Sequence, residues 1–131
     1  MKTKNSYVLA LPLGIVTGLL TLYVVPGRFE LGLWLVLLFA MAWFCSRSFK
    51  GEKLFVQSFV FAVLTGVCIT LTHMLLINEY LESHAEEIQV MGRLGVFESP
   101  RLGLLVVAPV YWVVLGLLTG IGASVLPGKE A

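Results

Sequence analysis

Residues 54–78 read LFVQSFVFAVLTGVCITLTHMLLIN and contain no Asp, Glu, Lys or Arg. A helix of about 20 apolar residues crosses the hydrocarbon core of a bilayer, which is about 30 Å thick. Lipid offers no partner to backbone N–H and C=O groups, so a spanning segment must be a helix or part of a closed barrel. Barrel strands alternate apolar and polar residues, and this stretch does not. It therefore predicts a transmembrane helix.

Three more stretches carry no charged residue: residues 5–27, 31–46 and 102–128. The first and the last are long enough to cross a bilayer. The middle one is short, but Phe29 extends it if Glu30 lies at the level of the lipid headgroups. The chain therefore contains four candidate membrane spans.

We predict an all-α fold, an integral membrane four-helix bundle that forms one domain over residues 1–131. Spans one to four are expected at about residues 6–26, 29–46, 54–78 and 101–126. Lys2 and Lys4 precede span one as they would precede a signal peptide, but residues 23–28 (YVVPGR) lack the small residues of a cleavage site. We expect span one to remain uncleaved.

The composition agrees with a membrane protein and excludes several functions. Hydrophobic residues make up 58% of the 131 residues and charged residues 13%, whereas soluble domains are about half apolar and about a quarter charged. A net charge of +1 does not favour nucleic acid as a partner. No nucleophile elbow, zinc-protease, phosphate-loop or haem motif is present. We predict no enzymatic activity and no cofactor.

The distribution of basic residues predicts the orientation in the membrane. Six of the nine Lys and Arg residues lie in the N-terminus, the second loop and the C-terminus, and three lie in the first and third loops. Positive charge marks the cytoplasmic side. We therefore expect both termini to be cytoplasmic.

The two cysteines lie at different depths of the predicted bundle. Cys45 ends span two, and Cys68 lies well inside span three, which starts at the same face. The difference in depth is roughly 20 Å at 1.5 Å per residue, whereas a disulfide needs Cα atoms within about 7 Å. We expect two free thiols.

Small residues form stripes on three of the four spans. Helices in lipid associate where small side chains let backbones approach. The stripes comprise Ala10, Gly14 and Gly18 in span one; Ser58, Ala62, Gly66 and Thr70 in span three; and Gly116, Gly120 and Ser124 in span four. They predict either packing inside one chain or a homodimer. Span two has no stripe and is expected to be peripheral.

Two prolines lie inside spans. Pro12 and Pro109 each remove a backbone donor and clash with the carbonyl four residues earlier. We expect bends near Val8 and Leu105.

The long connection between spans three and four holds five of the eight glutamates. Its apolar residues recur at helical spacing, at Ile77, Leu81, Ala85 and Ile88. Other faces carry Glu79, Glu82 and Glu86. This pattern predicts an amphipathic acidic helix at about residues 79–92, which either extends span three beyond the membrane or lies on the membrane surface.

One stripe of this helix carries candidate site residues, namely His73, Tyr80, His84 and Glu87. His73 is the only plainly ionisable group inside a predicted span, and such groups are functional candidates. Two histidines and a carboxylate could ligate a metal. In a continuous helix, however, His73 and His84 are about 16 Å apart, so one ion would need ligands from a second helix. The alternative is a hydrogen-bonded histidine near the interface and a solvated acidic helix.

Three segments resemble a family of small bacterial four-span membrane proteins of uncharacterised function. They are residues 13–18 (LGIVTG), residues 48–51 with 57–59 (SFKG and QSF), and residues 78–87 (NEYLESHAEE). The resemblance implies four helices with an extended third, in a bacterial inner membrane, and it implies no activity. Small multidrug antiporters are also four-span chains of similar size, but they depend on a glutamate in their first span, which this chain lacks.

Two functions follow as hypotheses. The first is a non-enzymatic membrane protein that acts through helix–helix packing, as a homo-oligomer or as an accessory subunit of a membrane complex. The alternative is a small oligomeric channel or transporter, with His73 and Tyr111 lining its pore. The expected partners are the lipid bilayer and either a second copy or another membrane protein. An enzyme that acts on lipids through His73 or His84 is the third and weakest hypothesis.

Overall fold

The computed structural model describes residues 3–25, 27–93 and 99–127. Within these ranges every regular element is an α-helix. The order is α1 (Thr3–Val8), α2 (Ala10–Tyr23), α3 (Gly27–Ser48), α4 (Leu54–Leu75), α5 (Ile77–Ser83), α6 (Ala85–Arg93) and α7 (Pro100–Val125).

Four helical stretches are long and apolar enough to cross a membrane. They are Ser6–Tyr23, Gly27–Ser48, Leu54–Leu75 and Arg101–Val125. This confirms the prediction of a helical chain with four such helices.

The two prolines inside spans have different effects on the helices. The chain leaves regular helix at Leu9, just after Val8, whose carbonyl Pro12 would otherwise crowd. By contrast, α7 continues past Pro109 to Val125.

Helix α4 lies at the centre of the bundle and packs against α2, α3 and α7. Glycines allow the close approach on two sides of it. A Cβ atom added to Gly14 would lie 2.7 Å from the Thr65 carbonyl oxygen, and one added to Gly18 would lie 2.9 Å from the Thr72 Cβ. Real Cβ atoms do not come this close to other atoms. The stripe of span one therefore packs on α4 within the same chain.

The stripes of spans three and four also make contacts inside the chain. A Cβ on Gly116 would lie 2.7 Å from the Phe59 ring, and one on Gly120 would lie 2.8 Å from the Phe55 ring. One on Gly66 would lie 2.8 Å from the indole of Trp112, and Ala62 is fully buried in the core.

Ser124 does not belong to the packed face of α7, contrary to the sequence expectation. Its side chain is exposed, and its hydroxyl donates to the Gly120 carbonyl at 2.8 Å. The neighbouring Ala123 is fully buried instead, and a Cβ added to Gly122 would lie 3.0 Å from the Ala42 Cβ. The packed face of α7 therefore turns, at this end, towards α3.

Helix α3 is also not peripheral, which corrects the expectation for span two. Leu37, Met41 and Cys45 are buried members of the main core cluster. The helix packs on both α4 and α7. The side chains that make this contact include Leu37 and Met41 and form no glycine stripe. The pattern of small residues therefore does not predict it.

The outer faces of the bundle are apolar. On α7, Val106 is 57% exposed, Val110 63% and Ile121 54%. Soluble monomers rarely expose contiguous apolar patches of more than a few hundred Å², so this surface is typical of a multi-pass membrane protein. Among the described cysteines, Cys45 is buried, Cys68 is half-buried, and both are free.

The predicted acidic helix is divided into two pieces. Leu76 (φ −109°, ψ 45°) and His84 (φ −118°, ψ 30°) depart from helical backbone angles and separate α4, α5 and α6. At the second break, the side chains of Ser83 and His84 both reach the Tyr80 carbonyl, at 3.2 Å each. Side chains that bond nearby carbonyls compete with the helical pattern. Span three is therefore not continued by one straight helix over residues 79–92.

Candidate polar site at one end of the bundle

A part-buried acid–imidazole pair joins α3 to the end of α5. Glu30 lies in the first turn of α3, and its Oε2 is 3.1 Å from the Nε2 of His84. The side chains are 15% and 3% exposed, respectively. A carboxylate oxygen accepts hydrogen bonds, so His84 donates through Nε2–H when Glu30 is ionised.

Trp34 completes the environment of this carboxylate. It lies one turn after Glu30 on α3 and donates its indole N–H to Oε1 at 3.1 Å. Each carboxylate oxygen therefore has a donor from this site. An ionised side chain is tolerated away from water only with such partners.

His73 is held by Thr21 of α2. The Thr21 hydroxyl donates to the Gly18 carbonyl at 2.8 Å, and its oxygen lies 2.8 Å from the Nε2 of His73. A hydroxyl carries a single hydrogen. Because that hydrogen is used on Gly18, His73 donates through Nε2–H.

Tyr80 contacts both histidines, stacking on His84 and lying tilted against His73. Its ring centroid is 4.9 Å from that of His73 and 4.3 Å from that of His84, with 20° between the planes of the latter pair. The two imidazole centroids are 6.2 Å apart. The axial separation of about 16 Å applied to a continuous helix, and the interruptions at Leu76 and His84 remove that condition.

The arrangement does not form a metal site from the described side chains. Among them, no three His, Cys, Asp or Glu residues are grouped so that they could hold a metal ion. The backbone of Glu87 lies in α6, but its side chain is outside the described part of the structure. The structure thus brings His73, Tyr80 and His84 together and does not describe the side chain of Glu87, the fourth predicted residue.

The cluster faces a cavity of about 580 Å³ between α3, α4 and α7. Small-molecule sites have volumes of about 300–1,000 Å³. Glu30, His73, Tyr80 and His84 line the cavity, together with Tyr111 and apolar side chains. Among the described lining residues there is no Lys or Arg.

The cavity is elongated and open on one side. Its lining on α3 extends over residues 27–38, which is about 16 Å at 1.5 Å per residue and so about half the thickness of a hydrocarbon core. Leu31 and Leu35 line it although they are 72% and 59% exposed. An apolar molecule could therefore enter from the side of the bundle.

Three residues of this site were missed from the sequence: Thr21, Glu30 and Trp34. Glu30 was assigned to the headgroup level and treated as a boundary. It is the only acidic residue before Glu52, and Trp34 follows it at helical i,i+4 spacing. An isolated acidic residue followed at this spacing by a tryptophan is the sequence feature that could have identified the site.

No known protein family, curated protein or solved structure matches this chain. The fold and the site define it as a helical protein in which four helices are long and apolar enough to cross a membrane. A polar cluster faces a cavity at one end of these helices.

Proposed function

We propose that this protein is a multi-pass protein of a bacterial inner membrane, with both termini cytoplasmic, and that it binds and carries a small amphipathic molecule without catalysing a reaction on it. The observation that carries the proposal is the part-buried Glu30–His84 pair beside a cavity of about 580 Å³. Ionisable groups in membrane segments are costly and mark ligand or ion pathways.

The location in the membrane is supported by the exposed apolar faces and by the charge pattern. The site lies where α2 and α4 end and α3 begins, next to the glutamate-rich connection. The excess of Lys and Arg belongs to the opposite end of the bundle. The positive-inside rule then places the cavity on the non-cytoplasmic side.

A transport or carrier role has more support than an oligomeric pore. His73 and Tyr111, the two residues expected to line a pore, border one cavity within a single chain. A site formed in this way needs no second copy to supply a polar lining.

The interaction hypothesis has less support than it had from the sequence. The glycines at positions 14, 18, 66, 116 and 120 face neighbouring helices of the same chain. A homo-oligomer or an accessory subunit would therefore have to use other surfaces.

Tryptophan fluorescence provides a direct test of binding. Trp34 and Trp112 line the cavity, whereas Trp43 does not and is 48% exposed. A Trp43→Phe protein in nanodiscs therefore reports mainly from the cavity. We expect a saturable fluorescence change with at least one of three probes of similar shape: benzyltrimethylammonium, the neutral neopentylbenzene and the anion phenylmethanesulfonate.

Substitutions inside the cavity provide the control. Ala108 and Leu38 both line it, and Ala108→Phe or the milder Leu38→Phe should reduce the space for a ligand. We expect the affinity for the probe, measured by the fluorescence change, to fall at least tenfold. This comparison uses whichever of the two variants keeps its melting temperature. A response to none of the three probes would contradict the proposal.

A further inference from the structure

We infer that the ligand of this cavity is an organic cation with an apolar part, and that its binding displaces one proton from His84, so that Glu30 is balanced by one positive charge at a time. This inference rests on the proposed function and adds the class of ligand and its coupling to protons. It follows from the fixed charge of the lining, its aromatic residues and the hydrogen bonds of His84.

The fixed charge of the lining is negative. Glu30 is the only one of the described lining residues that is Asp, Glu, Lys or Arg. The other titratable groups that face the cavity are His73 from α4, Tyr80 and His84 from the α5 segment, and Tyr111 from α7. Opposite charges attract strongly where water is scarce, so the cavity favours a cation over an anion.

Aromatic residues add to this preference. Two of the three Trp and two of the four Tyr residues of the chain line the cavity, at positions 34, 112, 80 and 111. The faces of aromatic rings attract cations, ammonium groups included. A lining of leucine and valine alone would give no such selectivity.

The carboxylate of Glu30 has capacity for a further partner. Its two oxygens offer about four acceptor sites, and the bonds from His84 and Trp34 use one on each oxygen. The side chain keeps 15% of its surface exposed. A cation in the cavity can therefore approach Glu30 without displacing either donor.

His84 can hold or release a proton with little rearrangement. Its Nδ1 lies 2.7 Å from the hydroxyl oxygen of Ser83, and that hydroxyl also lies 3.2 Å from the Tyr80 carbonyl. When Nδ1 is protonated, it donates to Ser83, which donates to Tyr80. When Nδ1 is bare, the Ser83 hydroxyl turns and donates to it, and Nδ1 gives up the second bond that it donates to the Tyr80 carbonyl at 3.2 Å when protonated.

Charge balances through the exchange. Before binding, the Glu30 carboxylate is paired with an imidazolium. When the cation arrives, the Nδ1 proton leaves His84 for water beside the exposed Ser83, and no covalent bond between heavy atoms changes. His84 keeps its Nε2–H on Glu30, and the net charge of the pair and its ligand stays at zero.

The test measures the affinity of benzyltrimethylammonium against pH with the Trp43→Phe protein in nanodiscs. We expect the affinity to rise about tenfold for each pH unit over the range in which His84 is protonated, and then to level off. In weakly buffered solution, one proton should be released for each cation bound at the acidic end. Neopentylbenzene should bind more weakly and without dependence on pH.

Variants separate the titrating groups. His84→Gln keeps a donor for Glu30 but cannot titrate, so cation binding should lose its pH dependence and proton release. The control variant Glu52→Gln, whose side chain is exposed in the loop between α3 and α4 and does not line the cavity, should keep both. The wild-type pH profile tests the inference even if a variant does not fold.

Several outcomes would overturn the inference. They are cation binding independent of pH in the Trp43→Phe protein, a pH dependence that persists in His84→Gln, and neutral or anionic probes that bind as tightly as the cation. In the last case the proposed function would survive and the ligand class would be wrong. If no probe bound at all, the proposed function itself would fail.

An ammonium group can reach the cavity on a soluble cation or on a lipid headgroup. Nanodiscs of phosphatidylglycerol alone, compared with nanodiscs that also contain phosphatidylethanolamine, distinguish the two sources. Competition that weakens benzyltrimethylammonium binding in the mixed nanodiscs supports the lipid, and equal affinity in both supports the soluble cation.

Discussion

Glu30 and His84 are separated by 54 positions in the chain but share a hydrogen bond of 3.1 Å. Burying two charges costs several kcal/mol each, and their attraction offsets this cost only when the geometry is good. Trp34 and Ser83 supply the additional hydrogen bonds. The pair also holds α5 in place, since Tyr80 stacks on His84 and His73 in the same cluster.

The effects of removing the two partners of this pair should not add. Glu30→Gln and His84→Gln should each lower the free energy of unfolding by about 1.5–3 kcal/mol, because each weakens a part-buried hydrogen bond to a charged group. The double variant should be less destabilised than the sum of the two by about 0.5–3 kcal/mol. Unfolding in SDS, followed by circular dichroism, measures all three.

Glu52→Gln is a suitable control for this cycle, because Glu52 is exposed in the loop between α3 and α4. We expect a change of no more than about 0.5 kcal/mol there. Strict additivity of Glu30→Gln and His84→Gln would show that the pair contributes no coupling energy.

Helix α4 can lie at the centre because the neighbouring helices α2 and α7 carry glycines where they face it. Gly14 and Gly18 let α2 approach it from one side, and Gly116 and Gly120 let α7 approach from the other. In lipid, such close contact replaces the hydrophobic effect as the source of helix association. The α4–α7 interface also contains the reverse arrangement, with Gly66 of α4 against the indole of Trp112.

Gly14→Ala should destabilise the protein even though alanine is the better helix former. The added Cβ would lie 2.7 Å from the Thr65 carbonyl oxygen, which belongs to backbone and cannot turn away. Overpacking of this kind costs about 1–3 kcal/mol. A lower melting temperature in nanodiscs is the expected result.

Gly32→Ala gives the matched control. A Cβ at Gly32 would meet nothing within 4 Å, and the residue lies inside α3. The substitution should leave the melting temperature unchanged or raise it, since alanine favours a helix over glycine by about 1 kcal/mol. Equal effects of the two substitutions would disprove the close approach of α2 and α4.

The α5–α6 segment shows how a helical pattern can conceal interruptions. Apolar residues continue at helical spacing across Leu76 and His84, so the sequence predicts one helix. The chain leaves helical geometry at both positions, and at His84 the side chain bonds both locally, to the Tyr80 carbonyl, and across the bundle, to Glu30. The spacing of apolar residues shows which face of a helix is apolar. It does not reveal a single residue whose backbone angles are not helical.

Across the whole molecule, α2, α3, α4 and α7 alternate in direction if each crosses the bilayer. The site then lies at the non-cytoplasmic end, by the positive-inside rule. A cysteine introduced by Glu82→Cys, in a background with Cys45→Ala and Cys68→Ala, should react with a membrane-impermeant maleimide in intact cells. One introduced by Lys50→Cys should react only after the cells are opened.

Both positions are exposed, so access of the reagent is matched. The reverse labelling pattern would invert the orientation and place the cavity on the cytoplasmic side. Labelling of both cysteines in intact cells would contradict a single orientation.

The arrangement of the glycines also predicts the state of assembly. Because they face neighbours within one chain, we expect a monomer after crosslinking in native membranes. Gly116→Leu should then lower the melting temperature of the monomer. A crosslinked dimer that Gly116→Leu abolished while the monomer kept its stability would indicate that this stripe serves a second copy.

The amino-acid sequence was sufficient for the helical class and the four candidate spans, because the ability of a segment to cross a bilayer depends on the length and polarity of about 20 consecutive residues. It also identified His73, Tyr80 and His84, which lie near one another in the chain. Their actual separation, and their partners Thr21 and Glu30, came only from the folded molecule. Such contacts join residues about 50 positions apart and depend on the break at Leu76 and on how α2 and α3 pack on α4, neither of which is encoded in the local hydrophobic pattern.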